Sequence, residues 1–187
     1  MGLQLLPHLL SLSRIVLALL LYFYSTWILS SWLFVAAIVF AAISDGLDGF
    51  MARWLKCESD LGSYLDPCAD AGFIVIACSA CWQAGLMPTW LMVALLLRYS
   101  IIGALHLHLR LLGVRQLGAL ASGKYCMAWF FIYLFLLAWH SAQLPFGQSQ
   151  WTQLSLWVLL LLLLLSAVDY IHRYGCLYRE LAASDAK

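Results

Sequence analysis

Six stretches of this chain, about residues 8–29, 31–54, 62–84, 88–110, 120–141 and 152–174, are apolar over a length that suits a membrane-crossing helix. Only short breaks separate the odd-numbered stretches from the next, and they carry turn chemistry: Ser30-Ser31, Gly85-Leu-Met-Pro88, and Leu144 to Gln150. A backbone in lipid must satisfy its own hydrogen bonds, so such runs fold as helices. Composition agrees: 65% of the residues are hydrophobic and 10% charged, with a mean hydropathy of +0.91. Soluble domains run nearer half apolar and about a quarter charged. Ten Lys and Arg against nine Asp and Glu leave a net charge of +1, which excludes a disordered chain and a nucleic-acid binder relying on a basic surface. The expected fold is an all-α integral membrane protein, a six-transmembrane-helix bundle over residues 1–175 with a short cytoplasmic tail at 176–187.

Charge placement predicts the orientation. The connections near residues 30, 86 and 146 hold no Lys, Arg, Asp or Glu. Arg53 and Lys56 sit at the second connection, Arg110, Arg115 and Lys124 around the fourth, and Arg173, Arg179 and Lys187 after the last span. The positive-inside rule then makes that side, with both termini, cytoplasmic. The first positive charge is Arg14, inside an apolar run, so no cleaved signal peptide is expected. Cys78-Ser-Ala-Cys81 has CxxC spacing but no second pair to complete a zinc site, and small residues at helix contacts are the expected reading. His106 and His108, two residues apart, are expected on different sides of a helix at the cytoplasmic interface.

Acidic residues within apolar spans are expensive and point to function. Asp45 and Asp48 lie near the cytoplasmic end of the second span, and Asp66 and Asp70 near the start of the third. Spacings of three and four residues put each pair on one helix face, and the short connection lets the faces meet. Four carboxylates in low dielectric repel, and divalent cations such as Mg²⁺ or Mn²⁺ resolve that conflict. Gly46, Gly49 and Gly62 accompany the acids, although each glycine inside a helix costs about 1 kcal/mol against Ala. Close approach of a ligand to backbone is favoured over tight helix packing as their reason. Arg53, eight residues past Asp45, is placed to meet a phosphate.

Asp45, Asp48, Gly49, Ala52, Arg53, Gly62, Asp66 and Asp70 match without gaps the pattern D-x2-D-G-x2-A-R-x8-G-x3-D-x3-D, eight identities over 26 positions. This segment resembles the signature of the CDP-alcohol phosphotransferase family, and the six-span layout is similar too. The resemblance implies a homodimer and a displacement in which an alcohol attacks the phosphate of a CDP-linked lipid and releases CMP. It also implies two divalent cations, Mg²⁺ or Mn²⁺, held by Asp45, Asp48 and Asp66, with Asp70 beside them in the metal cluster as the catalytic base. Gly49, Ala52 and Gly62 would line the cytidine and phosphate pocket, and Arg53 would take a phosphate oxygen. The site would face the cytoplasm, in a bacterial inner membrane.

Further segments resemble phosphatidylglycerophosphate synthases, which use CDP-diacylglycerol and glycerol 3-phosphate. Pro7, Ser13 and Arg14 fall in a segment like their opening motif, Pro67 follows Asp66 as it does there, Arg98 sits at their fourth-span arginine, and Gly123-Lys124 opens the fifth span. Ala71, Tyr99 and Cys126 depart from that pattern, and two of the departures remove a lysine. Arg98, Arg110, Arg115 and Lys124 are the expected acceptor-binding residues. Phosphatidylglycerol, inositol phosphate and a neutral alcohol are alternative acceptors for the same chemistry. A divalent-cation transporter is the alternative from another class, but its path would need polar residues at several depths, and the acids cluster at one.

Overall fold

The computed structural model describes residues 6–29, 31–55, 62–111, 120–145, 147 and 149–185. Six long helices carry the chain: α1 (Leu6–Phe23), α3 (Trp32–Leu55), α4 (Gly62–Gln83), α5 (Thr89–Leu111), α6 (Ala121–Ser141) and α7 (Ser149–Asp185). A one-turn helix, α2 (Ser25–Ile28), follows α1 within the first apolar run. No strand occurs among the described residues. Thr89–Leu109, Ala121–Ser141 and Ser149–Arg179 are long and apolar enough to cross a membrane; the apolar parts of the other helices, Leu12–Phe23, Trp32–Leu47 and Asp70–Gln83, are shorter. In α3 and α4 the acidic motif borders the apolar segment, so the helix continues where the hydropathy ends.

The helices form a closed ring. Packing runs from α4 to α1, then to α3, α6, α7 and α5, and back to α4. Inside it lie Phe34, Ile38 and Ala41 of α3, Phe73, Ile74 and Ala77 of α4, Leu91 and Leu95 of α5, and Phe130 and Leu134 of α6, all nearly inaccessible. Phe73 stacks on Phe131 across the α4–α6 gap, ring centroids 5.7 Å apart. Cys78, Cys81 and Cys126 are free and buried, in keeping with small residues at helix contacts. Many large apolar side chains face outward, Leu96, Leu97, Ile101, Leu161, Leu164 and Val168 among them. In water such a surface would be a liability, whereas lipid solvates it. Trp27, Trp32, Trp90 and Trp151 are exposed at helix ends, as an interface belt requires.

Turns close by recognisable means. At the end of α4, Gly85 adopts φ +73°, and Leu86 N–H donates to Cys81 C=O at 2.9 Å. That is a Schellman cap, in which glycine carries the left-handed residue without steric penalty. Gln143 takes the same role after α6 at φ 52°.

The last helix differs from expectation. The hydropathy pattern predicts a span over 152–174, yet α7 runs to Asp185 without a break at residue 175. Its 37 residues span about 55 Å, against roughly 30 Å of bilayer hydrocarbon. Leu, Arg, Glu and Ala after Gly175 are good helix formers, so polarity ends the apolar run without ending the helix. Tyr174 and Tyr178 also stack on each other, centroids 6.2 Å apart, and pack against His108 of α5. His106 faces Tyr170 and His108 accepts or donates a 2.6 Å hydrogen bond with the Tyr174 hydroxyl. Each histidine thus lies beside a tyrosine of α7. Asp169 and Arg173, a helical i,i+4 pair, are both exposed.

Gly123 fixes the α6–α7 approach, because a Cβ there would lie 3.2 Å from the Tyr170 hydroxyl. Gly123→Ala is expected to lower the thermal midpoint in detergent, by an amount within the roughly 1–3 kcal/mol range of overpacked sites. Gly123→Ala combined with Tyr170→Phe should recover most of that loss, and equal loss in both backgrounds would show that the contact is not limiting.

Candidate active site

The acidic motif occupies the last turns of α3 and the first turns of α4. Both helices are continuous through it, so Asp45 and Asp48 stand three residues apart on one helix and Asp66 and Asp70 four apart on the other. The side chains of Asp48, Gly49, Ala52, Arg53, Gly62, Asp66 and Arg110 lie outside the described residues, as does Arg115 altogether.

The two aspartates whose side chains are described converge on one cation. Arg14 of α1 donates from Nη1 to Asp45 Oδ1, and its Nη2 lies 3.0 Å from Asp70 Oδ1. Arg14 is 1% exposed and is the largest fully buried side chain among the described residues. Asp45 retains 41% of its side-chain exposure and Asp70 23%, so the cluster is closed on the α1 side and open on the other. A guanidinium presents a planar fork of donors that suits two carboxylates at once. The opening segment includes Arg14 but does not pair it with the aspartates. Its position inside the first apolar run, the sole basic residue there, is the signal for an internal counter-ion.

This donor set suits a hard divalent cation. It consists of carboxylate oxygens, one of them substantially accessible, on helices whose register adds two further carboxylates. No group of three His, Cys, Asp or Glu side chains occurs among the described residues, because two of the four aspartates fall outside them. Gly46 is exposed, and a Cβ on it would meet nothing within 4 Å. Packing against the described residues therefore does not explain this glycine.

Of the expected acceptor residues, the side chains of Arg98 and Lys124 are described. Arg98 is 5% exposed; its Nη2 donates to Ser166 Oγ of α7 at 3.0 Å, and its guanidinium lies 5.3 Å from the Tyr99 ring centroid. Lys124 is exposed at the start of α6, and Cys126 is buried in the core, 0% exposed. An apolar groove of about 540 Å³ runs between α3 and α6, lined by Ile38, Ala42 and Ile43 on one side and Phe131 and Phe135 on the other. Its α3 wall ends two residues before Asp45.

A family model described as CDP-alcohol phosphatidyltransferase matches residues 4–168, nearly the whole bundle. The chain belongs to that family. A Cereibacter sphaeroides protein named CDP-diacylglycerol--glycerol-3-phosphate 3-phosphatidyltransferase is 34% identical over 92 residues, 46% of this chain and 41% of its own length. A Bacillus subtilis protein of the same name is 25% identical over 139 residues, covering 72% of this chain and 69% of its own length. A Mycobacterium bovis protein whose name includes the words cardiolipin synthase is 37% identical over 86 residues, 46% of this chain and 40% of its own length. The chain thus aligns with about two fifths of the first and last of these relatives. Together with the apolar helices, the family makes this a membrane protein.

Gly46 offers a test of ligand approach. Gly46→Ala should leave the thermal midpoint unchanged or raise it, since Ala is favoured in a helix by about 1 kcal/mol. It should also raise the KM for CDP-diacylglycerol. A lowered midpoint with an unchanged KM would return Gly46 to a packing role.

Proposed function

We propose that this protein transfers a phosphatidyl group from CDP-diacylglycerol to glycerol 3-phosphate, releasing CMP and forming phosphatidylglycerophosphate. The observation that carries the reading is the convergence of Asp45 and Asp70, from the two halves of an intact family motif, at one open-sided cluster. The names of the Cereibacter and Bacillus relatives support the acceptor. In this reading all six long helices span the membrane with both termini in the cytoplasm, the site lies at the cytoplasmic face of a bacterial inner membrane, and the enzyme works as a homodimer. The far end of α7, longer than the bilayer requires, projects into the cytoplasm.

Asp45, Asp48 and Asp66 would hold two divalent cations, Mg²⁺ or Mn²⁺, with Asp70 at the edge of the cluster. Bound there, the cations would supply charge neutralisation for the pyrophosphate and the departing CMP. Asp70, ion-paired with Arg14, accepts the proton of the attacking hydroxyl. Arg53 takes a phosphate oxygen, and Gly46, Gly49, Ala52 and Gly62 leave room for backbone approach by the nucleotide. The apolar groove beside Asp45 takes an acyl chain, so the lipid need not leave the bilayer for its phosphate to reach the carboxylates. Arg98, Arg110, Arg115 and Lys124 are the cations available to the acceptor phosphate.

A second acceptor, phosphatidylglycerol, is favoured by specific observations. Ala71 and Cys126 stand where lysines would serve a phosphorylated acceptor, Cys126 is buried in the core, and Arg98 is turned to α7.

Purified protein with CDP-diacylglycerol and Mg²⁺, offered glycerol 3-phosphate, phosphatidylglycerol, inositol phosphate, serine or glycerol in turn, decides between them by CMP release. Glycerol 3-phosphate is expected to support turnover, chelation to abolish it, and Mg²⁺ or Mn²⁺ to restore it. Turnover with phosphatidylglycerol alone would move the acceptor and keep the chemistry. No CMP with any acceptor, or full release in excess chelator, would overturn the reading.

A further inference from the structure

The groove between α3 and α6 is lined along the helix axes. Ile38 and Ala42 line it four residues apart on α3, and Phe131 and Phe135 do the same on α6. One end abuts both halves of the acidic motif. Ile43 stands two residues before Asp45, and Phe131 stacks at 5.7 Å on Phe73, three residues after Asp70. Both aromatic lining side chains are held from behind: Phe131 by Phe73, and Phe135 by Trp139, ring centroids 5.5 Å apart. Trp139 is itself tied down, since its Nε1 donates to the Pro145 carbonyl at 2.8 Å. Walls pinned in this way keep their shape with or without a ligand. Ala42 is exposed and is the one small side chain in an α3 wall otherwise made of Ile and Val, so it sets the width of the groove.

We propose that this groove selects among acyl chains: it takes the part of one chain nearest the glycerol of the CDP-linked lipid, and Ala42 with the pinned Phe131 and Phe135 admits a straight segment and rejects a methyl-branched one. The inference rests on the phosphatidyl transfer proposed above, and it adds a preference among lipids that share one headgroup. A chain passing from the bilayer into the groove exchanges one apolar surrounding for another, so burial contributes little net free energy. Discrimination is left to shape, because a packed wall does not make room for an added methyl without strain. In a fitted apolar site one such group changes kcat/KM by roughly 10- to 200-fold. Asp45 and Ile38 are separated by seven residues, about 10 Å of helix. The groove therefore reads only the proximal part of a chain and leaves the remainder to the bilayer.

The test uses the full chain in detergent micelles, where no bilayer lipid competes, with CDP-linked dioctanoyl-, dipalmitoyl- and diphytanoylglycerol. The last of these carries methyl branches along both chains. CMP release with the acceptor that supports turnover gives kcat and KM, and calorimetry gives the affinity for each lipid and for CMP, which has no chains. The two straight-chain lipids are expected to agree within about threefold, and the branched one to bind and turn over about tenfold or more worse. Ala42→Phe fills the groove and should raise the KM for the dipalmitoyl lipid about tenfold or more, with the affinity for CMP changed less than about threefold. Ala42→Leu serves as the working variant if Ala42→Phe does not fold. Phe135→Ala widens the groove and should bring the branched lipid within about threefold of the straight ones. Equal use of branched and straight lipids by the unsubstituted chain, an unchanged KM in Ala42→Phe, or an equal loss of CMP affinity there would each overturn the role. Lipid affinities in the expected order without any CMP release would instead sink the transfer and keep the groove, so the two failures are distinct.

Discussion

A guanidinium buried in an apolar bundle is tolerable only beside compensating charge, and Arg14 finds that charge on two helices at once. The shared charge ties α1, α3 and α4 together beside the acidic motif. The rest of the ring is built outward from that junction. α3 hands on to α6 through the wall of the apolar groove, and α4 hands on to α5 through the Gly85 turn. The carboxylates gain more than stability from this arrangement, since a fixed cation sets their separation before substrate arrives.

A second polar line runs between α5 and α7, and it is of a different kind. Arg98 meets Ser166, His106 meets Tyr170, and His108 meets Tyr174 and Tyr178, in matching order along two helices that run the same way. Ser166, Tyr170, Tyr174 and Tyr178 recur every four residues, one face of α7. Among the described residues no carboxylate takes part, and Arg98 meets a hydroxyl and an aromatic ring. The two lines divide the bundle into an acidic half and a basic, aromatic half.

Much of this was legible in the sequence, because the information was local. Hydropathy located each helix to within a few residues, except in α7, where a change from apolar to polar residues was not a change of helix propensity. The spacing of Asp45, Asp48, Asp66 and Asp70 put each pair on one helix face, and the structure brings Asp45 and Asp70 to one arginine. What escaped was nonlocal. Arg14 is 31 residues from Asp45 along the chain, and only the order of helices around the ring brings them together. The same holds for His106 and His108, whose spacing said nothing of a long partner helix. The bland packing reading of Gly46 was likewise testable only once its surroundings were known.

The central claim of the proposed function is a single displacement, in which the phosphatidyl group passes directly from CMP to the acceptor while Asp70 takes the proton. A covalent phosphatidyl-enzyme would instead let CMP return without any acceptor, the signature of a two-step exchange. Labelled CMP incubated with the protein, CDP-diacylglycerol and Mg²⁺ in the absence of acceptor measures this directly. The account predicts no label in the lipid fraction until an acceptor has been turned over, and label entering CDP-diacylglycerol without acceptor would contradict it.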